Sequence, residues 1–191
     1  MRIEFRAYAD DYTVRGELEL LGERLTDYLV AADQVEINSA VVRALDDGRE
    51  HMLPSAVIPR DELCVVAATG PRGRSDRRVR TRAYPMRIQA GPYAVVGYFQ
   101  APRLVEPRLA AMGREIIALS PATVVYTVAG ERVEESHGAL LVNRVKMTRF
   151  DPATDADLGL AQVLDVSGEV DSQAKDFTGD IRSGGSETGD G

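Results

Sequence analysis

The first twenty residues alternate apolar and polar side chains with a period of two. The apolar positions are Ile3, Phe5 and Ala7 and, after Asp10-Asp11, Val14, Gly16, Leu18 and Leu20. A period of two is typical of strands with one buried face, and paired Asp residues favour a turn. The pattern therefore predicts that the chain opens with a β-hairpin.

The pattern then changes to a helical spacing. Leu25, Tyr28, Leu29 and Ala32 fall at i, i+3, i+4 and i+7, which predicts a short amphipathic helix. A second helix is predicted from Pro107 at its first position to Gly113 at its cap, with Leu109 and Met112 facing inward. After each helix the chain returns to short apolar runs typical of strands.

These elements occur twice, because a pattern at residues 5–66 returns at residues 86–150. Tyr12-x-Val14-x-Gly16 matches Tyr93-x-Val95-x-Gly97 at a spacing of 81. Val57-Ile58 and Leu63 match Leu141-Val142 and Met147 at a spacing of 84. A spacing that changes by only three residues across such a length indicates an internal duplication.

We therefore expect a mainly β (α+β) fold with two pseudo-symmetric small β-rolls or barrels, each with one short helix. The predicted divisions are a first copy at 1–69, an Arg-rich linker at 70–82, a second copy at 83–150 and an acidic, disordered tail at 151–191. The tail carries ten acidic residues against Lys175 and Arg182, so it accounts for the net charge of −7, and residues 1–150 are nearly neutral. Gly, Ser, Asp and Thr dominate the tail after Ser167.

Composition places the chain among cytoplasmic proteins. Neither a signal-peptide apolar stretch nor a membrane-spanning apolar run is present in the sequence. Cys64 is the single cysteine of the sequence, which excludes an internal disulfide, and its position in an apolar run predicts a core residue. The preference for Arg, 21 against two Lys, is typical of a GC-rich bacterium.

The linker is the most basic stretch of the chain. Its arginines are Arg72, Arg74, Arg77, Arg78, Arg80 and Arg82. They could bind nucleic-acid phosphates, dock the acidic tail or an acidic partner, or form a solvated linker. Arg74 and Arg78 also fit the RxxxR half of the cyclic-dinucleotide-binding PilZ pattern, but its D/N-x-S-x-x-G half does not follow.

The sequence carries no Walker loop, dinucleotide fingerprint, nucleophile elbow or zinc-finger spacing. His51 and His137 each precede the last strands of a copy and are flanked by carboxylates. Two histidines with carboxylates could bind a metal, but solvated loops are the expectation for both. We therefore predict neither a catalytic residue, nor a metal site, nor a cofactor.

Arg24-Leu25-Thr26-Asp27-Tyr28-Leu29, followed by Val35-x-Ile37, resembles a segment of a family of uncharacterised bacterial proteins with an RLxDxLN motif. The resemblance covers most of the first copy and implies a domain boundary, without an activity. Val57-Ile58-Pro59-Arg60 and Val142-Asn143-Arg144 are also similar to the Sm-like fold, which binds RNA through an (I/V)RG turn. Here no Gly follows either Arg, and a hairpin precedes the helix.

The function expected from these features is a non-catalytic binding or scaffolding module with an unknown protein partner. The alternative is nucleic-acid or nucleotide binding through the linker arginines. Exposed strand edges on such small units would also favour homo-oligomers. An apolar patch in the tail, at Leu158, Leu160, Val163 and Leu164, is a second candidate surface for a partner.

Overall fold

The computed structural model describes residues 1–69 and 81–162, and these residues are mainly β, as predicted. In the first half the elements are β1 (Arg2–Ala9), β2 (Tyr12–Glu19), α1 (Leu25–Ala31), β3 (Gln34–Ala44), β4 (Glu50–Pro59) and β5 (Leu63–Ala67). In the second half they are β6 (Thr81–Ala90), β7 (Tyr93–Pro102), α2 (Pro107–Met112), β8 (Ile116–Val128), β9 (Glu131–His137), β10 (Leu140–Asn143), β11 (Met147–Pro152) and α3 (Asp155–Gln162). A single 3-10 turn precedes β5 and another precedes β11.

The described strands belong to one continuous sheet. Its order is β11-β6-β7-β8-β10-β5-β1-β2-β3-β4, and β9 pairs with β8 beside this path. Every pairing is antiparallel. The two halves join where β10 pairs with β5, and β4 and β11 form the two ends of the sheet.

Strand registers in the two halves follow the spacings of the sequence repeat. Ala7 of β1 pairs with Val66 of β5, and Ile88 of β6 pairs with Phe150 of β11. Ile88 follows Ala7 by 81 residues and Phe150 follows Val66 by 84, which are the spacings of the matched sequence motifs. A register shift accompanies both pairings. The pseudo-symmetry of two units stays a prediction.

The sheet encloses two hydrophobic cores that share the joining strands. All residues of β5 and β10 are buried. Val65 and Val142 pack in the core of the second half, whereas Val66 and Leu141 pack in the core of the first half. Because side chains of a strand alternate between its faces, each joining strand contributes to both cores. The two halves are therefore packed as one body.

One glycine in each half permits a close approach of two paired strands. A Cβ atom on Gly16 would lie 2.6 Å from the carbonyl oxygen of Asn38, and one on Gly97 would lie 2.5 Å from that of Pro121. The register of β2 against β3 shifts at Gly16, and that of β7 against β8 shifts just after Gly97. Any larger residue would push these strands apart.

Two predictions about local structure are wrong. Leu109 and Met112 are exposed, because the six-residue α2 instead buries the small Ala111. The predicted unstructured tail begins too early, since β11 reaches Pro152 and α3 follows it. The carboxylate of Asp157 anchors α3, accepting hydrogen bonds from Arg87 at 2.8 Å and from the Thr154 hydroxyl at 2.6 Å.

Residues 70–80 and 163–191 lie outside the described residues. The predicted disorder after Ser167 therefore stays a prediction. None of the described helices is long and apolar enough to cross a membrane.

Candidate functional site

A cluster of polar side chains lies where β1 of the first half meets the β8–β9 hairpin of the second. It consists of Arg6 and Tyr8 on β1, Tyr126 on β8, and Glu135 and His137 on β9. We refer to these five residues as the junction cluster. Alternation along each strand explains their common orientation, since Arg6 and Tyr8 are two residues apart, as are Glu135 and His137.

Glu135 is the central acceptor of the junction cluster. Its Oε2 accepts hydrogen bonds from Arg6 Nη1 at 2.6 Å and from the Tyr8 hydroxyl at 2.7 Å. Its Oε1 accepts one from the Tyr126 hydroxyl at 2.8 Å. His137 Nε2 lies 2.8 Å from the Tyr8 oxygen. Because the Tyr8 hydroxyl donates its hydrogen bond to Glu135, its oxygen accepts from His137, whose Nε2 therefore carries a hydrogen.

These contacts fix the charge of the junction cluster. Burial alone would raise the pKa of Glu135, but the neighbouring His137, the hydrogen bonds from Tyr8 and Tyr126 and the charge of Arg6 lower it to about 2. His137 Nε2 lies 3.7 Å from Glu135, beyond hydrogen-bond reach, so we assign most of the lowering to the phenols and Arg6. Burial and the Glu135 carboxylate raise the pKa of both Tyr8 and Tyr126. The phenols therefore stay protonated and act as hydrogen-bond donors to the Glu135 carboxylate.

Aromatic packing supports the two tyrosines of the junction cluster. The rings of Tyr8, Tyr93 and Tyr126 lie 5.5–5.6 Å apart between centroids. Tyr93 crosses from the second half to donate a 2.6 Å hydrogen bond to the carbonyl of Ala9. Tyr93 occurs in the repeated motif, yet its partner across the halves could not be seen from the motif.

Cys64 and its neighbours form a second contact between the halves. Cys64 is fully buried, as predicted, and its Sγ donates to Asp10 at 3.2 Å. Lys146 donates to the other oxygen of Asp10 at 2.5 Å, and this bond lowers the pKa of the Asp10 carboxyl. Burial and the contact with Asp10 raise the pKa of Cys64 to about 12. Its thiol is therefore unreactive near neutral pH.

An open groove of about 820 Å³ lies beside Asp10 and Asp11, which connect β1 to β2. Its walls combine apolar residues with Asp10, Asp11, Asp46 and His51. His51 is exposed and lies within β4, where it pairs with Val42. Among the described residues no group of three or more His, Cys, Asp or Glu is placed to hold a metal ion. The groove therefore offers an acidic rim for a ligand but no metal ligand set.

The two histidines differ from the predicted solvated loops. His51 lies in a strand, although it is exposed. His137 ends β9, and only 17% of its side chain is exposed. The prediction of a solvated residue is wrong for His137, because its ring donates to the buried Tyr8.

The β4 strand presents an exposed edge. Within the described part of the chain it pairs with β3 alone. Three large apolar side chains on it are exposed, with Met52 at 84%, Leu53 at 42% and Val57 at 55%. Only Ile58 of this strand is buried. We refer to residues 52–59 as the β4 edge.

The predicted binding residues are only partly within the described residues. Arg82 is exposed near the start of β6, and its guanidinium lies 5.4 Å from the ring centroid of Tyr84. Arg72, Arg74, Arg77, Arg78 and Arg80 lie outside the described residues. In the predicted partner patch, Leu158 and Leu160 lie on α3, whereas Val163 and Leu164 lie outside the described residues.

Sequence reasoning missed the junction cluster. Arg6 and Glu135 are 129 residues apart, and no local spacing connects them. The one available signal is that Tyr8 occupies a polar position of the alternating β1 pattern with a large amphipathic side chain. Such residues often have a polar partner when buried.

Comparison with protein-family models, with curated proteins and with solved structures finds no match to this chain.

Proposed function

We propose that this protein is a non-catalytic binding or scaffolding module, which assembles with a second copy of itself through the β4 edge. The observation that carries the proposal is that β4 ends the sheet with exposed apolar side chains and no described partner on its outer side. Unpaired N–H and C=O groups on such an edge are ready to pair with another strand.

The composition of the β4 edge supports the proposal, because residues 52–59 include no charged side chain. Proteins commonly protect an edge against pairing with charges or Pro. Pro54 and Pro59 remove two backbone donors, so pairing would rely mainly on residues 55–58.

The other free edges differ in this respect. β11, at the opposite end of the sheet, exposes Thr148 and Arg149 and has Asp151 half-buried, with the last two ion-paired at 3.2 Å. β9 carries Glu131, Arg132 and Glu134. These charges oppose strand addition at β9 and β11, which favours β4 as the assembly edge.

The chain already contains one antiparallel pairing of the kind proposed. β10 adds to β5, and the pair Leu141 and Val66 is then only 3% exposed at each residue. Leu141 is the residue that matches Val57 in the repeat. Its burial indicates how much apolar surface Val57 would lose if β4 acquired a partner strand.

The β4 strand of a second copy suits this edge better than the β11 strand of that copy would. A β11 partner placed like β5 would bring Arg149 to the position of the fully buried Val65 and would desolvate its charge. Two β4 strands related by a two-fold axis would instead meet without opposed like charges from residue 52 to residue 59. Closed two-fold dimers are the commonest symmetric assemblies.

The molar mass in solution tests this proposal. Light scattering or sedimentation should give twice the chain mass for the wild type and one chain mass for Val57→Lys, since a lysine at the edge opposes pairing. Leu104→Lys is the matched control, because Leu104 is fully exposed away from β4 and its variant should remain dimeric. A wild type that stays monomeric at high concentration, or an unchanged mass in Val57→Lys, would contradict the proposal.

Polyanion binding through the Arg-rich linker is the second candidate. Arg82 supports it, because its exposed guanidinium lies over the face of Tyr84, an arrangement that can also accept a stacked base. Polarisation of a fluorescent RNA should then rise at low salt and persist at physiological salt. Replacing the six linker arginines with Ala should abolish it, and no binding at either salt concentration would contradict it.

A further inference from the structure

A small cavity lies beside the junction cluster, where the outer face of β1, β2 and β3 meets the β8–β9 hairpin. Its volume is about 60 Å³. The charged residues that line it are Arg6, Arg15, Arg43, Glu50 and Glu135, and the hydroxyls come from Tyr8, Thr13 and Tyr126. We refer to this cavity as the junction pocket. It lies between the halves, on the opposite side of the first-half sheet from its apolar core.

Two of the three arginines already have carboxylate partners. Arg6 pairs with Glu135 at 2.6 Å, and Arg15 pairs with Glu50 at 3.5 Å. Arg43 lies opposite Glu50 in the β3–β4 register, yet it forms no ion pair with any described residue. The junction pocket thus has three cationic side chains and two anionic ones.

The side chain of Arg43 also contains a buried hydrogen-bond donor that has no described acceptor. Its Nε is buried and has no hydrogen-bond partner among the described residues. A buried donor without an acceptor is unfavourable, and such groups are rare in folded proteins. Neither pocket carboxylate accepts from this Nε. Glu135 accepts from Arg6, Tyr8 and Tyr126, and Glu50 pairs with Arg15.

We propose that the junction pocket binds one small oxyanion, a carboxylate or a phosphate group, with Arg43 as the principal donor. A guanidinium offers several N–H donors in one plane and matches the oxygens of either group. The bound anion would satisfy the Nε of Arg43 and balance the excess positive charge. The cavity volume limits the buried part of the ligand to a single such group, so any larger molecule would extend outward past Arg15.

Anion-dependent thermal unfolding of the full chain tests this site. Sodium acetate and sodium phosphate are each compared with sodium chloride at equal ionic strength, since a bound ligand raises the unfolding temperature. A rise with acetate alone assigns a carboxylate, a rise with phosphate alone assigns a phosphate, and a rise with both assigns the shared oxyanion chemistry. Equal unfolding temperatures in all three salts would overturn the proposal.

Variants locate the effect at Arg43. Arg43→Met should weaken the apparent affinity by about tenfold or more, as expected for losing a charge-assisted hydrogen bond. Arg149→Gln is the matched control, because this exposed arginine lies on β11, away from the pocket, and its variant should respond like the wild type. A response that survives Arg43→Met would also overturn the proposal.

An NMR titration of the wild type keeps the test valid if Arg43→Met fails to fold. The arginine Nε–H resonances are followed in ¹H–¹⁵N spectra while acetate or phosphate is added. The Arg43 resonance should move with saturation, and the Arg149 resonance should follow only the ionic strength. An Arg43 resonance that does not move beyond the chloride control would overturn the proposal.

Discussion

The hydroxyl of Tyr8 donates a 2.7 Å hydrogen bond to the carboxylate of Glu135, and the two residues lie 127 positions apart in different halves of the chain. Tyr126 and Arg6 donate to the same carboxylate. Because this acceptor receives donors from both halves, it couples their relative position to its own charge. We therefore expect protonation of Glu135 to weaken the junction between the halves.

Replacing this carboxylate should remove a pH-dependent part of the stability. The folded state holds the pKa of Glu135 at about 2, below its ordinary value of 4.5. Its stabilisation is therefore present above about pH 4.5 and is lost as the pH falls toward 2. We expect Glu135→Gln to lower the free energy of unfolding by about 2–3 kcal/mol at pH 7. Urea unfolding at a series of pH values measures the difference.

The Glu134→Gln variant is the control for this prediction. Glu134 is the neighbouring residue on β9, and among the described residues its one ion pair is with Arg132 on the surface, at 3.6 Å. Its replacement should change the stability by less than about 1 kcal/mol at any pH. A Glu135→Gln deficit that stayed constant between pH 7 and pH 2 would refute the assigned role of the carboxylate.

Truncation of a joining strand should destabilise the whole chain. Leu141 belongs to β10 but packs in the core of the first half, so Leu141→Ala should cost about 2–4 kcal/mol. Val145→Ala, at a residue that is 77% exposed, should cost less than about 0.5 kcal/mol. Calorimetry should show one transition whose midpoint falls in Leu141→Ala. Two separate transitions in the wild type would mean that the halves unfold independently.

The close approach of β7 and β8 at Gly97 should not tolerate an added methyl group. In Gly97→Ala the new Cβ would lie 2.5 Å from the Pro121 carbonyl and 2.6 Å from the Ala122 side chain, so the strands must separate. We expect a loss of about 2 kcal/mol or more, because overpacking strains a buried sheet. Gly113→Ala is the matched control, as no atom lies within 4 Å of its new Cβ. Equal thermal stability of the two variants would show that β7 and β8 can accommodate a methyl group at residue 97.

Local patterns in the sequence predict most of the strands and both of the first two helices. The alternation at Ile3, Phe5 and Ala7 identifies β1 because one face of that strand is buried. The predicted inward orientation of Leu109 and Met112 is wrong. A helical period cannot reveal that Ala111 is the one buried residue of α2. Packing partners, rather than the period, decide which face of so short a helix is buried.

The candidate site depends on contacts that local patterns do not encode. The continuous apolar run from Leu63 to Ala67 is typical of a strand buried on both faces, but it does not reveal that β10 is the partner. Arg43 likewise looks like any polar residue of an alternating strand. The burial of its Nε without a described hydrogen-bond partner follows from the folded structure and has no counterpart in the sequence pattern.

Hydrogen exchange of the β4 edge as a function of protein concentration tests the central claim most directly. Pairing of two β4 strands should increasingly protect the alternate amides of residues 55–58 that point away from β3 as the concentration rises, because these outer N–H groups gain acceptors. Amides of residues 148–151 on the charged β11 should exchange at the same rate at every concentration. Protection of 55–58 that is independent of concentration would contradict assembly through β4.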